Sequence, residues 1–126
     1  MSSDTLTIEF VGNKTIAIPN GCFRDPIKYI IVKDGFEILH ERTFFNFRNL
    51  INISLPASLT TIKNEGFFLS SYMQHLFLPK NVQNFDGTPF DLSPIAEFEV
   101  DKENKYFCSL DGVIFTKKHG KIDCLS

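Results

Sequence analysis

Apolar residues recur along this chain with a step of 23, in several columns at once. Leu50, Met73 and Ile95 make one column, Ile30, Ile53, Leu76 and Phe98 a second, and Val32, Leu55, Leu78 and Val100 a third, the last step in each being 22. Phe44, Phe67 and Phe90 make a fourth. Phe36, Leu59 and Val82, then Leu39, Ile62 and Phe85, keep the same step, and Pro56 is echoed by Pro79. A core folded only once has no reason to repeat itself in this way. A unit of this length cannot bury its apolar side alone and must stack on a neighbour, so the pattern predicts a solenoid whose function lies on repeated surfaces.

Within the stretch NLINISLPASLTTIKNEGFF, Ile53 and Leu55 alternate with Asn52 and Ser54 until Pro56 stops the run, which reads as a short strand. Leu59 and Ile62 return to the interior through a second extended piece, and Glu65 to Ser70 are expected to make one or two helical turns that bring Phe67 inward. Each unit therefore supplies a strand, an extended return and a tight turn, and the stack is a parallel ladder. Burying a Leu, Ile or Phe is worth roughly 1.5–3 kcal/mol, so columns of this depth carry the fold where an isolated unit cannot.

The two ends depart from the pattern. Phe23 lies 21 residues before Phe44, with Pro26 tightening the turn, and this places a candidate first strand at Ile8 and Phe10 and its return at Ile16 and Ile18. At the other end Val113 to Thr116 and Lys121 to Leu125 read as two strands around a Lys-Lys-His-Gly turn, a hairpin suited to capping the last rung. The expectation is one domain over residues 1–126, with an irregular N-terminal unit at 1–22, repeats at 23–100 and an atypical C-terminal unit with a hairpin at 101–126.

At 126 residues, 43% hydrophobic and 22% charged, the chain has the size and composition of one globular domain. Its net charge is -2, and the cluster Lys117, Lys118, His119 and Lys121 is too small for a nucleic-acid footprint, so no nucleic acid is expected as partner. The opening MSSDTLTIEF lacks the basic start and apolar stretch of a secretory leader, and no apolar run is long enough to span a membrane. Cys22, Cys108 and Cys124 form no CxxC pair. Cys22 reads as a small residue filling a tight slot, while Cys108 and Cys124 flank the hairpin, where they could approach each other.

Strand alternation names the outward positions. One column is Thr7, Tyr29, Asn52, His75 and Glu97; the next is Glu9, Ile31, Ser54, Phe77 and Glu99. Tyr29, Ile31, His75 and Phe77 put aromatic and apolar groups where a monomer needs none, so the candidate protein-binding residues are Tyr29, Ile31, Asn52, Ser54, His75, Phe77, Glu97 and Glu99, on the concave strand face. Glu97, Glu99 and Asp101 make one end acidic, which suits a partner with a basic patch beside a hydrophobic anchor. The competing reading is that these side chains pack on one another or on a terminal segment. Asn13-Lys-Thr15 and Asn52-Ile-Ser54 fit the N-glycosylation pattern, and a glycan on Asn52 would obstruct this face.

Catalysis is not expected. His40, His75 and His119 fall in different units without metal-ligand spacing, and a Cys108–His119 dyad lacks any recognisable oxyanion hole. No cofactor and no metal are expected. Gly112 follows Asp111 in a turn, not in a phosphate loop.

The stretch LINISLPASLTTIKNEGFF resembles the unit L..I.LP..L..I...AF..C of the BspA-like leucine-rich-repeat family, and VDKENKYFCSLDGVIFTKK is similar to that family's V(D).(E)N..Y.S.DGVLF segment. The chain departs from it at Thr43, Gly66 and Pro89, where the family has a small residue before Phe, and at Phe47, Ser70 and Ser93, where it has cysteine. The resemblance implies a leucine-rich-repeat solenoid, α/β by convention and β-rich in fact. It implies surface or secreted proteins of bacteria and parasitic protists that attach to host proteins and cells, without catalysis. Members often lack conventional leaders, so surface and cytoplasm both stay open. It also implies a host surface or matrix protein as partner. The alternative, a structural spacer or a self-associating fragment of a longer repeat protein, follows from the unpaired strand groups that an open solenoid end presents.

Overall fold

The computed structural model describes residues 4–18, 24–67, 71, 73–90, 93–118 and 121–122. Two rows of parallel strands run along the stack. The longer strands are β1 (Thr5–Ile8), β2 (Tyr29–Val32), β4 (Asn52–Ser54), β6 (His75–Leu78) and β8 (Glu97–Val100). The return strands are β3 (Ile38–Leu39), β5 (Thr61–Ile62) and β7 (Asn84–Phe85), preceded by a single bridge between Thr15 and Ile38. The chain alternates between the rows, one long and one return strand per unit. The return row pairs in the order β3-β5-β7, and the long row pairs as β1-β2-β4 and, separately, β6-β8.

Register follows the repeat. Ile30 pairs with Ile53, Ile38 with Thr61 and Thr61 with Asn84, each a step of 23, while Leu76 pairs with Phe98 at a step of 22. Because strand side chains alternate, matched register puts the apolar columns on one side, between the two rows. Ile30, Val32, Leu39, Phe44, Leu50, Ile53, Leu59, Ile62, Phe67, Met73, Leu76, Leu78 and Val82 are buried there. Phe44, Phe67 and Phe90 follow each other at centroid separations of 6.0 and 5.5 Å. The last members of several columns, Phe85, Phe90, Ile95 and Phe98, are only half-buried, as expected where the stack ends.

Polar groups also bond one unit away. Ser58 Oγ accepts from Gly35 N at 2.9 Å and donates to Phe36 O at 2.6 Å. Asn49 and Asn81 donate their side-chain amides to Asp25 O and Ala57 O, both at 2.7 Å. Lys14–Glu37, Arg42–Glu65 and Lys63–Asp86 are ion pairs at 3.4, 2.9 and 2.9 Å, each between residues 23 apart.

The expected helical turns are absent from the described residues: 41–46 and 64–67 are turns. Arg42, Asn46 and Glu65 have φ of 57°, 71° and 55°, and a left-handed residue stops right-handed helix from propagating. Phe67 nevertheless points inward and is fully buried. The start also shifts. β1 ends at Ile8, and its register is Thr5 with Tyr29 and Thr7 with Ile31, so the N-terminal members of the two surface columns are Thr5 and Thr7, not Thr7 and Glu9. Phe10 leaves the strand and packs edge-on to Phe36 at 5.5 Å. The first unit is longer between strands than the others, Ile8 to Val32 being 24 against 23 for Ile30 to Ile53 and 22 for Leu78 to Val100.

The C-terminal unit turns antiparallel. β9 (Phe107–Leu110) and β10 (Val113–Lys118) form a hairpin around Asp111 and Gly112, whose φ values of 52° and 80° suit a two-residue turn with both central residues left-handed. β10 then pairs with β11 (Lys121–Ile122), which matches the one hairpin expected from the sequence for the first residues of its second strand; the β9–β10 hairpin was not expected. The continuation to Leu125, along with Cys22, Phe23, His119 and Cys124, lies outside the described residues. Phe98 N donates to Gly112 O at 2.8 Å and Val100 N to Ser109 Oγ at 2.9 Å, so the β9–β10 hairpin covers the edge of β8.

Candidate functional site: the long-strand face

The residues of β2 and β6 alternate exposed, buried, exposed, buried, β4 reads exposed, buried, exposed, and β8 differs only in its half-buried Phe98; all eight sequence-predicted binding residues are at exposed positions. Register aligns Tyr29 with Asn52 and Ile31 with Ser54 on β2 and β4, then His75 with Glu97 and Phe77 with Glu99 on β6 and β8. Tyr29, Ile31 and Phe77 are 40%, 36% and 42% exposed. The face therefore runs from hydroxyls at Thr5 and Thr7, through an apolar pair and a small polar pair, to an aromatic beside two carboxylates. Asn52 of the second glycosylation pattern stands in its centre.

Charge is unevenly placed. Glu37, Glu65 and Asp86 each face a cation one unit away. Glu97 has no ion-pair partner among the described residues, and Glu99 has only the His75 imidazole at 3.8 Å, a pair that forms only when His75 is protonated.

The long row breaks its hydrogen-bond ladder between β4 and β6. At that junction a groove of about 420 Å3 opens between the loops entering the two strands, lined by Arg48, Leu50, Ile51, Met73, Gln74 and His75. A second groove of about 540 Å3 lies beside Phe77, Glu99, Asp101, Lys102 and Glu103. A third space, about 440 Å3 and mainly apolar, sits where the columns end, against Phe85, Phe90, Phe98, Phe107 and Ile114. Among the described residues no group of three His, Cys, Asp or Glu is placed to hold a metal ion. No helix of the described residues is long and apolar enough to cross a membrane. His40 and His75 lie in separate units, and Cys108 is half-buried in β9.

Sequence reasoning missed two features. Asn104 is 1% exposed and fully bonded: its Nδ2 donates to Pro79 O and Val82 O, both at 3.0 Å, and its Oδ1 accepts from Tyr106 N at 2.7 Å and Phe107 N at 2.9 Å. Its own carbonyl accepts from Lys117 Nζ at 2.6 Å, so it joins the last regular unit to the hairpin. The hairpin tip carries exposed Leu110 and Val113, paired across the turn, and Gly112 between them packs on Glu97 with its Cβ position 3.4 Å from Glu97 Cα. The Asp-Gly turn signal was the cue for that tip.

Stacked parallel strands with one repeated core and one repeated exposed face define a leucine-rich-repeat type of solenoid, a class built for interaction along its length. The family model described as BspA type leucine rich repeat region matches residues 2–119 in six copies, and the chain belongs to that family. Comparison with curated proteins gave no match, and comparison with solved structures gave none.

Proposed function

We propose that this chain is a non-catalytic protein-binding module and that its long-strand face, the concave face of such solenoids, is the docking surface. The observation that carries the reading is the exposure of Tyr29, Ile31 and Phe77 on one repeated face that no other described element covers. Apolar groups rimmed by polar ones on a sheet face gain free energy when a partner removes them from water. Asn52, Ser54 and His75 supply the rim of hydrogen-bonding groups, and Glu97 and Glu99 the charge. Membership of the family supports adhesion or another surface interaction as the setting, with the chain at the cell surface or secreted and a host surface or matrix protein as ligand.

The test is a selection of random dodecapeptides displayed on phage against the immobilised chain. Peptides that dock on this face should bind the Y29A/F77A double variant at least ten-fold more weakly, while that variant keeps its melting temperature. Equal binding to both would move the interaction elsewhere.

A second reading, a spacer that self-associates through its ends, is favoured by two observations. β1 is paired on one side only, and the apolar columns open into the space beside Phe90, Phe98 and Phe107. Light-scattering mass separates the readings. A monomer leaves the face free; a dimer that persists in Y29A/F77A supports end-to-end stacking.

A further inference from the structure

The two carboxylates at the end of the face bear on what kind of partner fits. On the return side three acids pair with a cation one unit away: Glu37 with Lys14, Glu65 with Arg42, Asp86 with Lys63. On the long-strand face, among the described residues, neither Glu97 nor Glu99 forms an ion pair with a Lys or Arg one unit away, and the cation lining the groove beside Glu99 is Lys102, next to Asp101 and Glu103. The register neighbours of Glu97 and Glu99 are His75 and Phe77. Two residues apart on one strand, Glu97 and Glu99 point to the same side about 7 Å apart and repel one another. Beside Glu99 stands the exposed ring of Phe77, and against Glu97 packs the hairpin tip with exposed Leu110 and Val113. A cationic side chain laid here would be flanked by apolar surface, stack on the Phe77 ring and meet carboxylates at its charged end.

The rest of the face has no formal charge: Tyr29, Ile31, Asn52 and Ser54 are neutral. The surface is therefore polarised, apolar at β2 and acidic at β8. Two hydrogen-bonded strand intervals of about 4.8 Å and the open step between β4 and β6 put these ends at least about 14 Å apart, the reach of four or five extended residues.

We infer that the partner is an extended protein segment crossing the strands, with an aromatic or branched aliphatic side chain over Tyr29 and Ile31 and an arginine or lysine, four or five residues away, between Phe77 and the Glu97–Glu99 pair. This rests on the long-strand face being the docking surface. Acidic and neutral segments are rejected at the β8 end because they leave the two carboxylates uncompensated.

The dodecapeptides selected on the wild-type chain provide the probe. They should be enriched in Arg or Lys four or five residues from an apolar residue. A synthetic representative should bind E97Q/E99Q at least ten-fold more weakly at 50 mM NaCl, lose affinity for wild type at 300 mM, and bind D86N, which alters a return-side acid, like wild type. Selected peptides with no basic bias, or with equal affinity for wild type and E97Q/E99Q, would overturn the inference. If those peptides still lose affinity for Y29A/F77A, the face survives as the docking surface and only the cationic partner falls. If Y29A/F77A leaves binding unchanged as well, or if nothing is enriched, the docking surface itself is wrong.

Discussion

Asn104 shows how one side chain closes the stack. Its amide satisfies two carbonyls of the unit before it and two N–H groups of the chain after it, three of these bonds out of water. Truncation to alanine removes the partner of buried Val82 O and Phe107 N, while Pro79 O keeps the Val82 N–H, and unsatisfied buried groups cost about 1–3 kcal/mol each where they cannot relax. Asn104→Ala should therefore lose about 2–4 kcal/mol in urea unfolding, and Asn104→Asp should not rescue it, because a carboxylate cannot donate to Pro79 O and Val82 O. Gly35 is a second sensitive position. Its φ is 119°, and a Cβ there would sit 2.3 Å from Phe10 Cγ, so Gly35→Ala combines strain with overlap and should cost about 2–4 kcal/mol by the same measurement. Neither effect was legible beforehand. Asn104 in the sequence is one polar residue among VDKENKY, and its importance comes from distant carbonyls that only the stacked fold brings to it.

At the scale of strands, the same residue type has opposite weight on the two sides. Phe67 lies between Phe44 and Phe90 in the buried column, and Phe67→Ala should cost about 3–5 kcal/mol through the cavity it leaves. Phe77 faces solvent on β6, and Phe77→Ala should change stability by less than about 1 kcal/mol. Thermal or urea unfolding of both variants measures this contrast. Lys63→Ala, which breaks an exposed pair with Asp86, should cost less than about 1 kcal/mol. The columns that separate Phe67 from Phe77 are readable in the sequence, because period two and period 23 together assign each strand residue to core or face. Opposite charges at Lys14 and Glu37, Arg42 and Glu65, and Lys63 and Asp86 were present at the same step and would have located the ion-pair ladder. The helical turns expected from Glu65 onward fail where Glu65 takes left-handed backbone beside Asn64 and Gly66, both weak helix formers, so the local sequence already carried a signal against helix there. The register of β1 was misread because no repeated apolar partner precedes it to fix its alignment, and the interval to β2 is longer than the later ones.

Over the whole molecule the repeat converts one-dimensional spacing into a surface. Buried columns hold the units in register, and register in turn lines up Tyr29 with Asn52 and His75 with Glu97. The face residues were legible as a set because alternation forces them outward. Their uneven charge depends on which neighbours stacking supplies, and the interruption between β4 and β6 leaves no mark in the sequence. The proposed docking of a protein partner on this face is open to direct mapping. Chemical-shift changes in 15N-labelled protein on adding a selected peptide test it most directly. The largest changes should fall at residues 29–31, 52–54, 75–77 and 97–99. Changes concentrated instead at the return strands, residues 38–39, 61–62 and 84–85, would contradict it.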